Sequence, residues 1–186
     1  MRGLPVSSFS SDARTALAAI ILFDQVPRNA HRDTAEAFAT DHIALGIARA
    51  AVSHGLDAGL TKDERLFLYL PFEHSENLDD QRESVRLISD LGDQRLLQFA
   101  LDHQAMIERF GRFPHRNKVL GRADRAGGKI LMNKEQQMSK NYKIATLNDG
   151  VFTESTPEIR KVIVEMGCTV YANLSSITHI KSEIDR

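Results

Sequence analysis

Five amphipathic stripes, each closed by a glycine or a proline, commit residues 12–110 to a stack of helices. From Asp12, a favourable N-cap, Leu17, Ile20 and Ile21 recur at helical spacing. Val26-Pro27 predicts the end of that helix, because the residue before a proline avoids the α region. The second stripe predicts a helix over about 34–54, with Phe38, Leu45, Ala48 and Val52 on one face and Gly55 as its stop. The third starts at Thr61, where Glu64 stands at capping-box spacing, and carries "RLFLYL" toward Pro71. The fourth, about 77–91, has Leu78, Val85, Ile88 and Leu91 inward and stops at Gly92. The fifth, about 93–110, shows Leu96, Phe99, Ala100, Ile107 and Phe110. Short Gly- or Pro-marked turns imply antiparallel helix pairs, so the expected fold class is mainly α, a solenoid-like stack.

The basic residues change type near residue 122. Residues 1–122 hold 13 Arg and 2 Lys, and residues 123–186 hold 3 Arg and 6 Lys. This seam suggests a helical domain over 1–122, a linker over 123–140 and a small α/β fragment over 141–186. In the last part "YKIATL" (142–147) and "CTVYANL" (168–174) read as strands around a helix that opens at Thr156-Pro157, a βαβ unit with a parallel pair. Limited proteolysis is expected to cut first between 123 and 140.

A formal net charge of −1 gives no global field that would draw the chain to nucleic acid or to an anionic membrane. The apolar run Ala16–Phe23 is too short for a membrane span and has no cleavage site after it. Cys168 is the single cysteine, so no disulfide forms within the chain; its neighbours do not activate a thiolate, and a cytoplasmic location is expected.

Four constellations carry candidate chemistry. Asp24 lies where the first stripe would next point inward; a buried carboxylate there needs a partner, and Arg28 and Arg32 are near. Glu73, His74 and Glu76 follow Pro71 within a few residues. Their spacing does not fit a helical metal motif, so no metal and no cofactor is expected; a packing corner capped by Ser75 or Asn77 competes with an acid/base pair. His103 sits on the inward face between Ala100 and Ile107, where a hydrogen-bonded core histidine is the commoner case.

The fourth is "RFGRFPHRN" (109–117), which holds three arginines, a histidine and two phenylalanines. Its phenylalanines can bury while the arginines stack on them or fork onto carboxylates. The 11 Asp and 6 Glu of residues 1–122 against 15 Lys and Arg argue against nucleic acid and for a clasp with Asp24, Glu73 and Glu76. A small anion or a peptide carboxylate on leftover arginine forks is the other reading. The candidate binding set is therefore Asp24, Arg28, Asn29, Glu73, His74, Glu76, His103, Arg112, His115, Arg116 and Asn117. The enzymatic alternative is a hydrolase-type site: His74 or His103 as acid/base, Glu73 or Glu76 as orienter, and Arg112 or Arg116 as anion stabiliser. Arg112, as a buried partner, is expected to be worth roughly 3 kcal/mol or more.

Three long motifs carry a family resemblance. Asp24-Gln25 with Pro27-Arg28-Asn29, Arg32 and "AFATD" (37–41) form the first; "FLYLPFEHSE" (67–76) with Gln81 the second; His103 with "RFGRFPHRN" and "LGR" (120–122) the third. Over about residues 14–122 the chain resembles the bacterial domain-of-unknown-function family 924. That resemblance implies a tetratricopeptide-like helical fold and brings no established reaction. It also implies missing N-terminal helices, since their Trp-Phe motif has no counterpart in a chain without tryptophan, and only an unrelated lead before Asp12. Residues 141–174, with "KIATLNDG" and "TPEIRKVIVEMGCTVY", resemble the opening unit of the alanine dehydrogenase and nicotinamide-nucleotide transhydrogenase α-subunit group. The leading expectation is a helical interaction or scaffold module for a protein, a peptide or a small anion.

Overall fold

The computed structural model describes residues 5–124, and these are mainly helical, with no strand among them. The linker over 123–140, apart from its first two residues, and the βαβ unit over 141–186 lie outside the described residues. Six α-helices follow in order: α1 Ala13–Ile20, α2 Val26–Ala30, α3 Asp41–Ser53, α4 Lys62–Glu73, α5 Leu78–Ser89 and α6 Gln94–Phe110. Each of α3, α4 and α5 packs on the helix that follows it, and α1 lies against both α3 and α4.

Local chemistry explains the starts. Asp12 accepts the Thr15 amide at 2.9 Å, Asn77 accepts those of Asp79 and Asp80, and Asp93 those of Arg95 and Leu96. Thr61 and Glu64 form the reciprocal box: the Glu64 amide donates to Thr61 Oγ1 at 3.3 Å and the Thr61 amide to Glu64 Oε2 at 2.8 Å. Thr61→Ala is expected to lower stability by about 0.5–2 kcal/mol in urea denaturation; a smaller loss would mean that water caps α4 equally well.

Two helix ends differ from the sequence expectation. Val26 adopts the α region and the helix continues through Pro27 to Ala30, by way of a π turn over Ile21–Gln25 in which the Val26 amide donates to Ile21 O. Pro27 has no N–H for the Phe23 carbonyl, and the hydroxyl of Thr40 donates to that carbonyl instead, at 2.5 Å. Likewise α4 runs one turn beyond the expected stop, through Pro71 to Glu73. Gln81, fully buried on α5, donates from its Nε2 to Glu73 O at 2.7 Å and to Ser75 O at 2.6 Å, which stabilises that last turn. At Pro27 a tertiary partner takes up the freed carbonyl, and after Pro71 Gln81 instead secures the carbonyls at the helix end.

The second predicted helix is in fact a 3₁₀ turn, Ala35–Phe38, followed by α3. Its buried face is Ala44, Ile47, Ala48 and Ala51; Leu45 and Val52 lie at the margin of the core and Phe38 is only partly buried. Small side chains let α3 approach its neighbours closely. The main core gathers Leu17, Ile20 and Ile21 with Ile47, Leu68, Tyr69, Leu87 and Ile88. A second, smaller cluster joins Met106, Ile107, Phe110 and Phe113, with Leu78 against it. The charged site forms beside this second cluster.

Candidate functional site

The π turn points Asp24 into the interior, where it is 0% exposed. Arg28 Nη1 and His74 Nδ1 each lie 2.8 Å from its Oδ1, and Gln25 Nε2 donates to Oδ2. Burial pushes the Asp24 carboxyl up, but the charges of His74 and Arg28 and the hydrogen bonds outweigh it and hold the group below the usual aspartate range. For His74, burial and the Arg28 charge outweigh the pull of Asp24, so the imidazole titrates below its usual range. Nδ1 donates its proton to Asp24, so whenever the ring is neutral Nε2 carries the lone pair.

Arg28 forks onto Asp41, Nη1 to Oδ1 at 2.9 Å and Nη2 to Oδ2 at 2.8 Å. It also donates to the Asp24 carbonyl, and Asn29 caps the Gln25 carbonyl from one residue further on. Arg116, 7% exposed, lies between two rings, 4.7 Å from the Phe38 centroid and 4.5 Å from that of Phe113. Its Nη1 donates to the His74 carbonyl at 3.0 Å and stands 3.6 Å from Asp41 Oδ2. Burial first, and then the Arg28 charge, bring its pKa down to about 10.

The acid–histidine corner separates into three partnerships. Glu73 Oε1 stands 3.3 Å from His103 Nδ1, which also donates to Phe99 O at 2.9 Å. Glu76 accepts two nitrogens of Arg122, at 2.6 and 2.9 Å, and the Phe113 amide at 2.8 Å. His74 goes to Asp24, as above. The orienter expected at Glu73 or Glu76 is therefore Asp24 for His74, while Glu73 attends His103. Because α4 ends at Glu73, Glu76 lies in the following corner and shares no helix face with it. Asn77 caps α5, and Ser75 donates to Asp80. Among the described residues no group of three or more His, Asp or Glu is placed to hold a metal ion.

Of the candidate residues, Asp24, Arg28, His74 and Arg116 share one network. Glu76 is tied to it through Phe113, and Glu73 with His103 adjoins it. His115 is exposed against the Phe113 ring at 5.5 Å. Asn117, 2% exposed, donates to Asp124. Arg112 does not join: it is half-buried and pairs with no acid among the described residues, so the stabilising role expected of it passes to Arg116. The reason is geometric, since Gly111, at φ 64°, ends α6 and breaks the helical register that would align the two arginines. Sequence reasoning passed over Asp41, Gln81 and Arg122 as site residues, although each stands inside one of the quoted motifs. Asp41 and Arg122 have partners 13 and 46 positions away, and Gln81 reaches carbonyls across the corner between two helices, which no helical stripe reveals.

Burial pushes the Glu73 carboxyl above the usual range; His103 opposes this and Asp24 reinforces it. A carboxyl raised by folding contributes stability below its unfolded pKa and loses it as pH rises through the folded value. Glu73→Gln is therefore expected to raise the urea midpoint at pH 7 relative to wild type and to leave it nearly unchanged at pH 4. An equal effect at both values would show that Glu73 titrates normally.

A family model described as "Bacterial protein of unknown function (DUF924)" matches residues 3–135. The chain belongs to this family. The chain is also similar to a solved structure of a protein of unknown function from Agrobacterium tumefaciens, with 36% identity over 69% of this chain and 73% of that one and a TM-score of 0.65. No curated protein matches the chain at a significant level. The DUF924 match begins before Asp12, which corrects the expectation of an unrelated lead there. Phe9 in that lead is buried and packs edge-on against Phe23 at 5.5 Å. The match also runs past residue 122, across the expected domain boundary.

Proposed function

We propose that this DUF924 domain is a helical interaction module, a tetratricopeptide-like stack whose charged cluster clasps the 113–122 segment to α2 and α4 and lines a site for a peptide or small anion. The observation that carries the reading is the engagement of the carboxylates. Asp24 accepts from three groups, both Asp41 oxygens accept from Arg28, and Glu76 accepts from Arg122 and the Phe113 amide. None of these three is left as a general base for a bound molecule. The succession from α3 to α6, each packed on the next, supports the stacked arrangement. A helical domain over 1–122 with a separate tail, and a cytoplasmic location, belong to the same proposal. No helix among the described residues is long and apolar enough to cross a membrane.

One observation favours a second reading. Asp24 holds the His74 imidazole by Nδ1 at 2.8 Å, which leaves Nε2 as the ring's other nitrogen, the arrangement of an oriented base. The two readings separate in one experiment on the full chain, a display library of peptides alongside a panel of chromogenic esters and phosphoesters. Peptides sharing one consensus, with Kd in the micromolar range or tighter, support the module. Turnover that disappears in His74→Gln replaces it with the enzyme.

A further inference from the structure

Arg116 is the exception in a network whose other guanidinium groups are each matched by a bidentate carboxylate. Arg28 has both nitrogens on Asp41, and Arg122 has two on Glu76. Arg116 uses only Nη1, on a carbonyl at 3.0 Å and on an Asp41 oxygen at 3.6 Å that Arg28 already holds. Its Nε is buried without an acceptor, and Nη2 makes no hydrogen bond among the described residues. These two atoms form the side-on edge of the guanidinium, whose two parallel N–H groups match the spacing of a carboxylate or phosphate oxygen pair. The guanidinium carbon lies over the rings of both Phe38 and Phe113, which helps to hold the group in place. A buried donor with no acceptor is a standing penalty, which a bound acceptor removes.

We propose that the Nε–Nη2 edge of Arg116 is a binding site for one oxyanion, a carboxylate or phosphate group of a ligand. Nε is closed off from solvent, whereas Nη2 is not among the fully buried unpartnered atoms. The inference rests on reading the cluster as a ligand site, and it fixes the residue and the chemistry that such a site uses.

The test follows the arginine Nε–Hε resonances of the full ¹⁵N-labelled chain during titration with inorganic phosphate, with acetate, and with chloride at matched ionic strength. A saturable shift of the Arg116 resonance with phosphate or acetate, and not with chloride, is the expected result; the tighter of the two identifies the group. Arg116→Lys, which keeps the charge and loses the edge, should weaken that binding at least tenfold (about 1.4 kcal/mol). No saturable shift, an equal response to chloride, or undiminished binding by the lysine variant overturns the proposal. Should the lysine variant not fold, the wild-type titration decides, with the resonance assigned through its own backbone. Oxyanion binding here without any selected peptide would remove the peptide form of the module and keep this site; peptides selected without a shift at Arg116 would do the reverse.

Discussion

Asp24→Ala is expected to lower the free energy of unfolding by about 3–5 kcal/mol, because it removes one partner of a buried ionic network and leaves the others desolvated. The carboxylate is 0% exposed and meets Arg28, His74 and Gln25 at once. Without it, Arg28 retains Asp41, but His74 loses the acceptor for its Nδ1 proton and the Gln25 amide loses its own. Asp24→Asn should recover little, since its NH₂ would face a donor where the carboxylate offered an oxygen. Acid should reproduce part of the effect. The folded-state pKa of Asp24 is depressed, so its contribution is complete above the unfolded aspartate range and is lost as pH falls through the folded value. Guanidinium denaturation at pH 7 measures the first effect, and a change below about 1 kcal/mol would mean that water reaches the site freely.

Phe113→Ala should cost about 3–5 kcal/mol, as large-to-small replacements of buried aromatic residues do. The side chain is 0% exposed and fills the second core with Met106, Ile107 and Phe110. It also carries polar neighbours: His103 stands edge-on at 5.4 Å and the Arg116 guanidinium lies over the ring at 4.5 Å. The cavity and the lost cation–π face therefore act together, and a double-mutant cycle with Arg116→Ala should show a coupling of about 0.5–3 kcal/mol. Additive losses would place the two side chains in independent environments. Phe113→Leu, which restores apolar volume without a π face, should recover only part of the loss.

Much of the helix inventory is legible without coordinates because it depends on contacts three or four residues apart. The caps at Asp12, Thr61 and Asn77 and the stops at Gly55, Gly92 and Gly111 are interactions of this kind. The inward direction of Asp24 follows from the same periodicity. The predicted ends at Val26-Pro27 and near Pro71 were displaced, because Thr40 and Gln81 supply hydrogen bonds from elsewhere in the chain. The inner face of α3 was misassigned for a related reason: four small or aliphatic residues outweigh Phe38 once two neighbouring helices must approach closely.

The amino-acid order alone set the number of helices after α2, the starting caps of α4 and α5 and the presence of acids, histidines and arginines near three of the helix ends. It also carried the family membership, since long motifs survive any change of packing. Only the tertiary structure decided which charge meets which: His74 with Asp24, Glu73 with His103, Glu76 with Arg122, and Arg116 rather than Arg112 between two rings. The physical reason is range. Caps and stripes act within a turn or two of helix, whereas an ion pair between distant segments exists only after burial has brought them together and removed the water that would otherwise serve each charge alone.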